Sequence, residues 1–391
     1  MISFEAVLKA ELAELLAIGR RRACPEVSGA SRIKVLVSGE PRLSFCSNDY
    51  LGLAEHPALA TAAAAATHDG FGASASRLVS GDLPAHRQLE EALARFVGGQ
   101  AALVFPSGYQ TNIGVLTALA GPEDVIVSDS LNHASIIDGC RLSRARIAVY
   151  PHGDAAAAAR LLDQAQAARR RLLVTESLFS MDGDAAPLAP LAQAAQDHDA
   201  VFVVDEAHAL GVLGPRGRGL CAAAGVVPDV LIGTLGKALA AAGGFAAGTQ
   251  ALREILINKA RSFIFTTALP PPVAAAALAA LQIVDSPEGD RRRLQLRAHA
   301  DRLAPRLDSL RPPGSERTPH TVAGSPIQPF VVGTDAAAVA LSATLAQSRI
   351  FVPAIRPPTV PVGSARLRIT LSSSHDTADL DRLLVALGCL A

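Results

Sequence analysis

The chain has 391 residues, half of them hydrophobic, with 36 basic and 36 acidic side chains and a formal net charge of zero. That length buries a large core and predicts two or three domains, while the neutral balance argues against a nucleic-acid surface or a polybasic membrane anchor. The five cysteines, Cys24, Cys46, Cys140, Cys221 and Cys389, are scattered without a C-x-x-C pair, which points to a reducing cytoplasm and away from a zinc or redox motif.

Residues 1–45 read as an N-terminal arm. MISFEAVLKAELAELL has acids and helical spacing where a signal peptide would carry basic residues and an apolar core, so it predicts a surface helix. Arg20, Arg21 and Arg22 follow, and IKVLVSGEPRLSF predicts a hairpin turning at Ser38-Gly39. S-N-D-Y-L-G at 47–52 reads as a helix entry, with Pro57 suited to the first turn. Gly70 to Gly81 form a small-residue loop, and PAHRQLEEALARFV predicts a helix. The strand AALVFPSG then runs into a helix opening at Tyr109, and such a turn offers free backbone N–H groups to a phosphate. VIVSD, RIAVY, LLVTE, VFVVD and VLIGT alternate with helical stretches, which predicts an α/β large domain over 46–285 with a mostly parallel, doubly wound sheet. Ile264 to Val284 is apolar, but Pro270, Pro271 and Pro272 leave too few helical residues to span a membrane.

DSPEGDRRR breaks the pattern and opens a smaller α+β domain over 286–391. Its predicted order is helix, R-P-P-G loop, strand IQPFVVG, helix AAAVALSATLAQ, strands IFVPAI and ARLRITLS, and a last helix TADLDRLLVAL. Arg356 stands in I-R-P-P-T-V-P, where two prolines stiffen the backbone behind a guanidinium suited to a carboxylate.

The chemistry concentrates between Ala200 and Lys237. Val201 to Val204 and Val230 to Ile232 read as buried parallel strands. Ligands of open α/β sheets gather at the carboxyl ends of strands, so Asp205, His208, Thr234 and Lys237 are expected to face one crevice. Lys237 is one of only four lysines and sits in G-T-L-G-K, where desolvation would lower its pKa and free the amine as a nucleophile. A Schiff-base lysine with an aspartate one strand away implies pyridoxal 5'-phosphate, whose ring nitrogen stays protonated beside a carboxylate. The rival reading of V-V-D-E-A-H as the acidic motif of a nucleotide-driven motor needs an upstream G-x-x-x-x-G-K-[ST] loop. Gly236-Lys237 is the one G-K pair; it comes after the acidic motif and Ala238 follows it.

Taken together, F-C-S-N-D-Y-L-G-L, S-R-L-V-S-G, P-S-G-Y-Q-T-N, S-L-N-H-A-S, F-S-M-D-G-D-A-A-P-L, V-D-E-A-H, G-T-L-G-K, F-T-T-A-L-P-P and A-I-R-P-P-T-V-P resemble the α-oxoamine synthase family, fold type I pyridoxal-phosphate transferases, over nearly the whole chain. The resemblance implies that Lys237 carries the cofactor and acts as general base, that Asp205 pairs with the pyridine nitrogen and that His208 bonds the ring hydroxyl. It further implies that His133 stacks on the ring beside the substrate, that Gly108 and Tyr109 start the phosphate-binding helix with Thr234 as hydroxyl partner, and that Ser180 completes the cofactor shell. Arg356 and Asn48 would take the amino-acid carboxylate, and Arg21 and Thr359 would contact substrate. A homodimer is implied, its site at the subunit interface, with Thr266 or Thr267 reaching the neighbour's phosphate.

The implied reaction is decarboxylative condensation of L-alanine with a pimeloyl thioester in biotin biosynthesis, the acyl group arriving on coenzyme A or on a carrier protein. A sister synthase joining glycine to a short acyl-CoA stays open, and R-P-P-T-V-P favours the biotin branch. No metal, nucleic acid or membrane is implied. Ser74, Ala75 and Ala240 depart from the pattern, since relatives usually place more glycine there.

Overall fold

The computed structural model describes residues 3–29, 32–310 and 321–388; the predicted R-P-P-G loop and Cys389 lie outside the described residues. The arm opens with a helix over Phe4–Ala17 that buries no residue. Three short strands follow, β1 (Val27–Ser28), β2 (Lys34–Val37) and β3 (Glu40–Ser44). Ser38 and Gly39 take φ values of +50° and +84°, the paired left-handed backbone that a two-residue hairpin requires.

The large domain carries β4 (Ala101–Phe105), β5 (Val125–Asp129), β6 (Arg146–Tyr150), β7 (Arg171–Glu176), β8 (Val201–Asp205), β9 (Val230–Thr234) and β10 (Gly244–Gly248). They form one seven-stranded sheet in the order β4-β10-β9-β8-β7-β5-β6. All neighbours run parallel except β10, which is antiparallel to both β4 and β9. Strand β10 reads G-F-A-A-G and gives no sequence signal, because glycine and alanine have low strand preference. Its bareness has a packing reason: a Cβ on Gly244 would fall 2.5 Å from Thr111 Oγ1 and 2.6 Å from the Gly108 Cα. The helix over Gly108–Leu119 therefore lies directly against the sheet.

Helices cover both faces, as a parallel sheet requires. On one side Leu116, Ile136 and Leu256 pack over Ile126, Leu172 and Val203; on the other Leu162, Leu191 and Ala195 cover Val127, Leu173 and Val204. Each fully buried aliphatic side chain contributes roughly 1.5–3 kcal/mol, so the β-strand ends are fixed to a rigid frame. Helix Pro271–Val284 starts on the prolines that break the apolar run. Among the described residues no helix is long and apolar enough to cross a membrane.

A helix over Pro287–Ser309, capped by Ser286, leads into the C-terminal part, with β11 (Ile327–Gly333), β12 (Ile350–Phe351), β13 (Ala354–Ile355) and β14 (Ala365–Thr370). The expected single strand IFVPAI is two strands in two sheets. Pro353 lacks the N–H that would continue a ladder, and β12 pairs in parallel with β3 while β13 joins β14. The arm's hairpin thus shares a sheet with the C-terminal residues, in the order β1-β2-β3-β12.

Candidate active site

Lys237 follows β9 in a tight loop closed by Leu235 N–H on the Gly243 carbonyl at 3.0 Å and Ala240 N–H on the Lys237 carbonyl at 2.8 Å. Its Nζ lies 2.7 Å from His208 Nε2. Burial pushes the amine down to about 8 against the pull of Asp205 and Glu176, with Arg368 adding to the depression. Burial also drives His208 well below its usual range, helped by Lys237, Arg368 and His133, so the imidazole is neutral.

Asp205 ends β8 and is buried. Its carboxylate accepts from Ala207 N–H at 2.9 Å and from Asn112 Nδ2 at 2.8 Å. The same Asn112 amide donates to Ser135 Oγ at 3.0 Å, and Ser135 Oγ lies 2.7 Å from His133 Nδ1. His133 caps the helix over Ala134–Ser143 by accepting from Ser135 N–H. Asp205 and His133, distant in sequence, are thereby tied through Asn112 and Ser135.

At the amino end of helix Gly108–Leu119, Ser107 caps Gln110 N–H at 3.1 Å, and the N–H groups of Gly108 and Tyr109 have no partner among the described residues. Gly108 and Thr234 are adjacent, since a Cβ on Gly108 would sit 3.5 Å from Thr234 Oγ1. The Tyr109 hydroxyl is turned to Asp138, which leaves its backbone amide as its contribution. Unpaired N–H groups at a helix start bind phosphate.

The structure adds residues that the sequence reading passed over. Tyr50 is fully buried, and its hydroxyl lies 2.7 Å from His208 Nδ1 and 3.1 Å from Asn48 Oδ1. Arg368, on β14, donates to Tyr50 at 3.2 Å, to Asn48 Oδ1 at 3.1 Å and to the Ser180 carbonyl. Among the described residues no carboxylate pairs with this buried guanidinium, whereas Arg366, two residues earlier on the same strand, pairs with Asp182. A buried cation without an anion is costly to keep and marks a place for an anionic ligand. Two arginines at period 2 in an otherwise apolar strand are the sequence signal that could have found it. Glu176, at the end of β7, is also buried and stands beside Asp205 in register.

The other candidates make no hydrogen bond to this cluster among the described residues. Arg356 donates to the Gly19 carbonyl, and Thr359 Oγ1 accepts from Arg22 at 3.3 Å, so Arg21, Arg356 and Thr359 gather where the arm meets the C-terminal part. Thr266 and Thr267 follow the short helix Arg261–Ile264 beside exposed Phe265, Thr267 itself being exposed. Of the departures, Ser74 and Ala240 take φ values of +60° and +49°, the backbone region that favours glycine.

Comparisons with known proteins bear on the family and the fold. The profile of the aminotransferase class I and II family matches residues 40–387. A protein of Anaeromyxobacter dehalogenans named 8-amino-7-oxononanoate synthase is 50% identical over 386 residues, covering 97% of this chain and 94% of its own. One of the same name from Marinobacter nauticus is 48% identical over 368 residues, covering 93% and 90%. Among solved structures, a serine palmitoyltransferase from S. paucimobilis with bound PLP-myriocin aldimine superposes with a TM-score of 0.90 at 29% identity, covering 98% of this chain and 96% of that one. The 8-amino-7-oxononanoate synthase of Francisella tularensis superposes with a TM-score of 0.75 at 28% identity, covering 89% and 97%. The chain belongs to the class I and II aminotransferase family and, within it, to the 8-amino-7-oxononanoate synthases.

Proposed function

We propose that this protein joins L-alanine to a pimeloyl thioester with loss of carbon dioxide, giving 8-amino-7-oxononanoate in biotin biosynthesis, on pyridoxal phosphate anchored at Lys237. The observation that carries this reading is Lys237 Nζ held at 2.7 Å from His208 in a chain half identical to 8-amino-7-oxononanoate synthases over nearly its whole length.

The residues present fit the cofactor. An amine near 8 is ready to bond an aldehyde, Asp205 offers a buried carboxylate for the ring nitrogen, and the free N–H groups of Gly108 and Tyr109 beside Thr234 suit a phosphate. His208, His133 and Ser180 would complete its shell, and Thr266 or Thr267 would serve the neighbour's. Bound there, pyridoxal phosphate supplies an electron sink next to the α-carbon of the amino acid. Lys237 in its neutral form takes the α-proton at Nζ and later returns one, as a general base tuned toward working pH. Arg368 and Asn48 hold the alanine carboxylate, the arginine because its own fork is otherwise unneutralised. Arg21, Arg356 and Thr359 form a separate cationic and polar group suited to the far carboxylate of the pimeloyl chain.

A homodimer is part of this reading. Phe71, Leu78, Val79 and Phe265 are exposed on two loops tied by Ala268 N–H on the Ala75 carbonyl at 3.0 Å, an apolar surface that a second copy would cover. Free Cys24, Cys46, Cys140 and Cys221 support a cytoplasmic setting. Coenzyme A release with four substrate pairs tests the assignment. Alanine with pimeloyl-CoA should be fastest, glycine with pimeloyl-CoA slower, and glycine with acetyl-CoA or succinyl-CoA slowest. If glycine with a short acyl-CoA is fastest, the sister-synthase reading replaces this one.

A further inference from the structure

We propose that Asn112 is a positioning residue for the cofactor, a single amide that holds both the carboxylate meant for the ring nitrogen and the imidazole meant for the ring face. This role rests on pyridoxal phosphate binding at Lys237, and it deepens that site.

Asn112 lies one helical turn beyond Gly108 on the helix over Gly108–Leu119, on the same side as the N–H groups suited to a phosphate. It is 2% exposed, and an amide buried that deeply is costly unless bonded. Its nitrogen has two hydrogens and two acceptors: Nδ2 donates to Asp205 Oδ2 at 2.8 Å and to Ser135 Oγ at 3.0 Å. Its Oδ1 has no partner among the described residues. Turned over, the amide would set that oxygen against the Asp205 carboxylate, so Asp205 fixes which way the group faces.

The two bonds reach two different parts of the site. Asp205 Oδ1 is tied to its own loop by Ala207 N–H at 2.9 Å, and among the described residues Asn112 alone holds Oδ2. Ser135 Oγ, which accepts from Asn112, lies 2.7 Å from His133 Nδ1, and Ser135 N–H donates to the same ring nitrogen at 3.2 Å. The imidazole is therefore held through its Nδ1 edge and not through a face. An occupied site keeps this bridge, because each Asp205 oxygen takes one of the bonds and a carboxylate accepts about four. Without Asn112 the carboxylate could turn about its own side chain, and Ser135 would lose the donor that orients its hydroxyl. The partner of the ring nitrogen and the group on the ring face would then lose their common reference.

The test compares two dissociation constants, each read by absorbance as the compound is titrated into cofactor-free protein. One is for pyridoxal phosphate and the other for 1-deazapyridoxal phosphate, which has carbon in place of the ring nitrogen. Asn112→Ala should weaken pyridoxal phosphate about tenfold, the worth of one hydrogen bond to a charged group. It should weaken the deaza compound less, since Asp205 has no ring nitrogen to meet there, and that smaller loss should vanish in a His133→Ala background. Ser135→Ala cuts only the branch to His133 and should weaken both compounds by the same factor, which keeps the question open to measurement if Asn112→Ala does not fold. Equal losses for the two compounds in Asn112→Ala, an unchanged affinity there or in Ser135→Ala, or losses in Ser135→Ala that persist without His133 would each overturn the proposal. Unaltered protein that takes up no pyridoxal phosphate would sink the cofactor reading itself, a result distinct from variants that bind both compounds as the parent does.

Discussion

Glu176 and Asp205 are register partners at the carboxyl ends of β7 and β8, two acidic residues side by side at the edge of the sheet. Both are buried, and Glu176 Oε1 has no partner among the described residues. Burial, then the charge of Asp205, raises Glu176 from its ordinary 4.5 to about 8, against the pull of Lys237 and of the His133 and Ser180 amides. Two such groups do not both ionise cheaply, so Glu176 is the one that keeps its proton. The folded protein then holds a proton that the unfolded chain has already lost, and stability falls as pH rises from about 4.5 to about 8. Glu176→Gln should flatten that part of the curve in melts of the cofactor-free protein across pH. A slope unchanged by the substitution would place the titrating group elsewhere.

His152 bridges Asp129 at 3.0 Å and Asp184 at 2.7 Å, and its ring meets the Phe179 face edge-on with centroids 4.3 Å apart. Burial lowers its proton affinity, but the two carboxylates more than reverse this and raise it to about 10. A histidine raised in the folded state stabilises fully below its ordinary 6.5, and that contribution is lost as pH climbs through about 10. The bridge pins the loop that carries Phe179, Ser180 and Asp182. His152→Ala leaves two carboxylates facing each other and should cost roughly 3 kcal/mol or more in urea unfolding at pH 6, with a smaller difference from the parent above pH 10. An equal cost at both ends would mean that the ring's packing, and not its charge, holds the loop.

Ala240 sits three residues beyond Lys237 with φ at +49°, where a side chain clashes with its own carbonyl. The loop hydrogen bonds leave it no other choice, since Ala240 N–H and Ala241 N–H both close back onto the turn. Ala240→Gly should therefore stabilise by about 1 kcal/mol, the reverse of placing alanine where φ is positive. Thermal melts check it, and a lower midpoint would show that the methyl's contacts outweigh the strain.

What the sequence made legible were features written into one or two local stretches. Short β-branched runs ended by Asp205 and Thr234 announced parallel strands and the edge where ligands collect, and glycines around Lys237 marked a tight turn after a buried strand. Ser38-Gly39 announced its hairpin for the same local reason. What stayed hidden depends on distant partners. Tyr50 is a polar aromatic in a turn until β8 brings His208 to it, 158 positions on. Arg368 reads as an ordinary strand arginine until it reaches Asn48, 320 positions earlier. Strand β10 is invisible because glycine and alanine carry no strand preference, and at Gly244 the helix pressed on it leaves no room for a side chain. IFVPAI looked continuous because apolar residues on both sides of Pro353 masked a change of sheet.

For the proposed amino-acid carboxylate, sequence and structure favour different arginines. Arg356 has the proline-stiffened setting that suits a carboxylate, but its guanidinium is engaged by the Gly19 carbonyl of the arm. Arg368 is buried within the Tyr50–His208–Lys237 chain and lacks an anion among the described residues. Removing one partner of a buried charge pair costs roughly 3 kcal/mol, about 10²-fold in affinity. Arg368→Gln should thus raise the KM for alanine about 10²-fold with a much smaller effect on the KM for pimeloyl-CoA. Arg356→Gln should show the opposite split if its group serves the acyl carboxylate. Folding should survive the first change, because losing an unpaired buried cation relieves a desolvation cost instead of adding one. Steady-state kinetics with each substrate varied in turn decides between them: a large alanine effect at Arg356 and none at Arg368 would return the carboxylate to the arm side of the crevice and leave Arg368 as a strut for Asn48 and Tyr50.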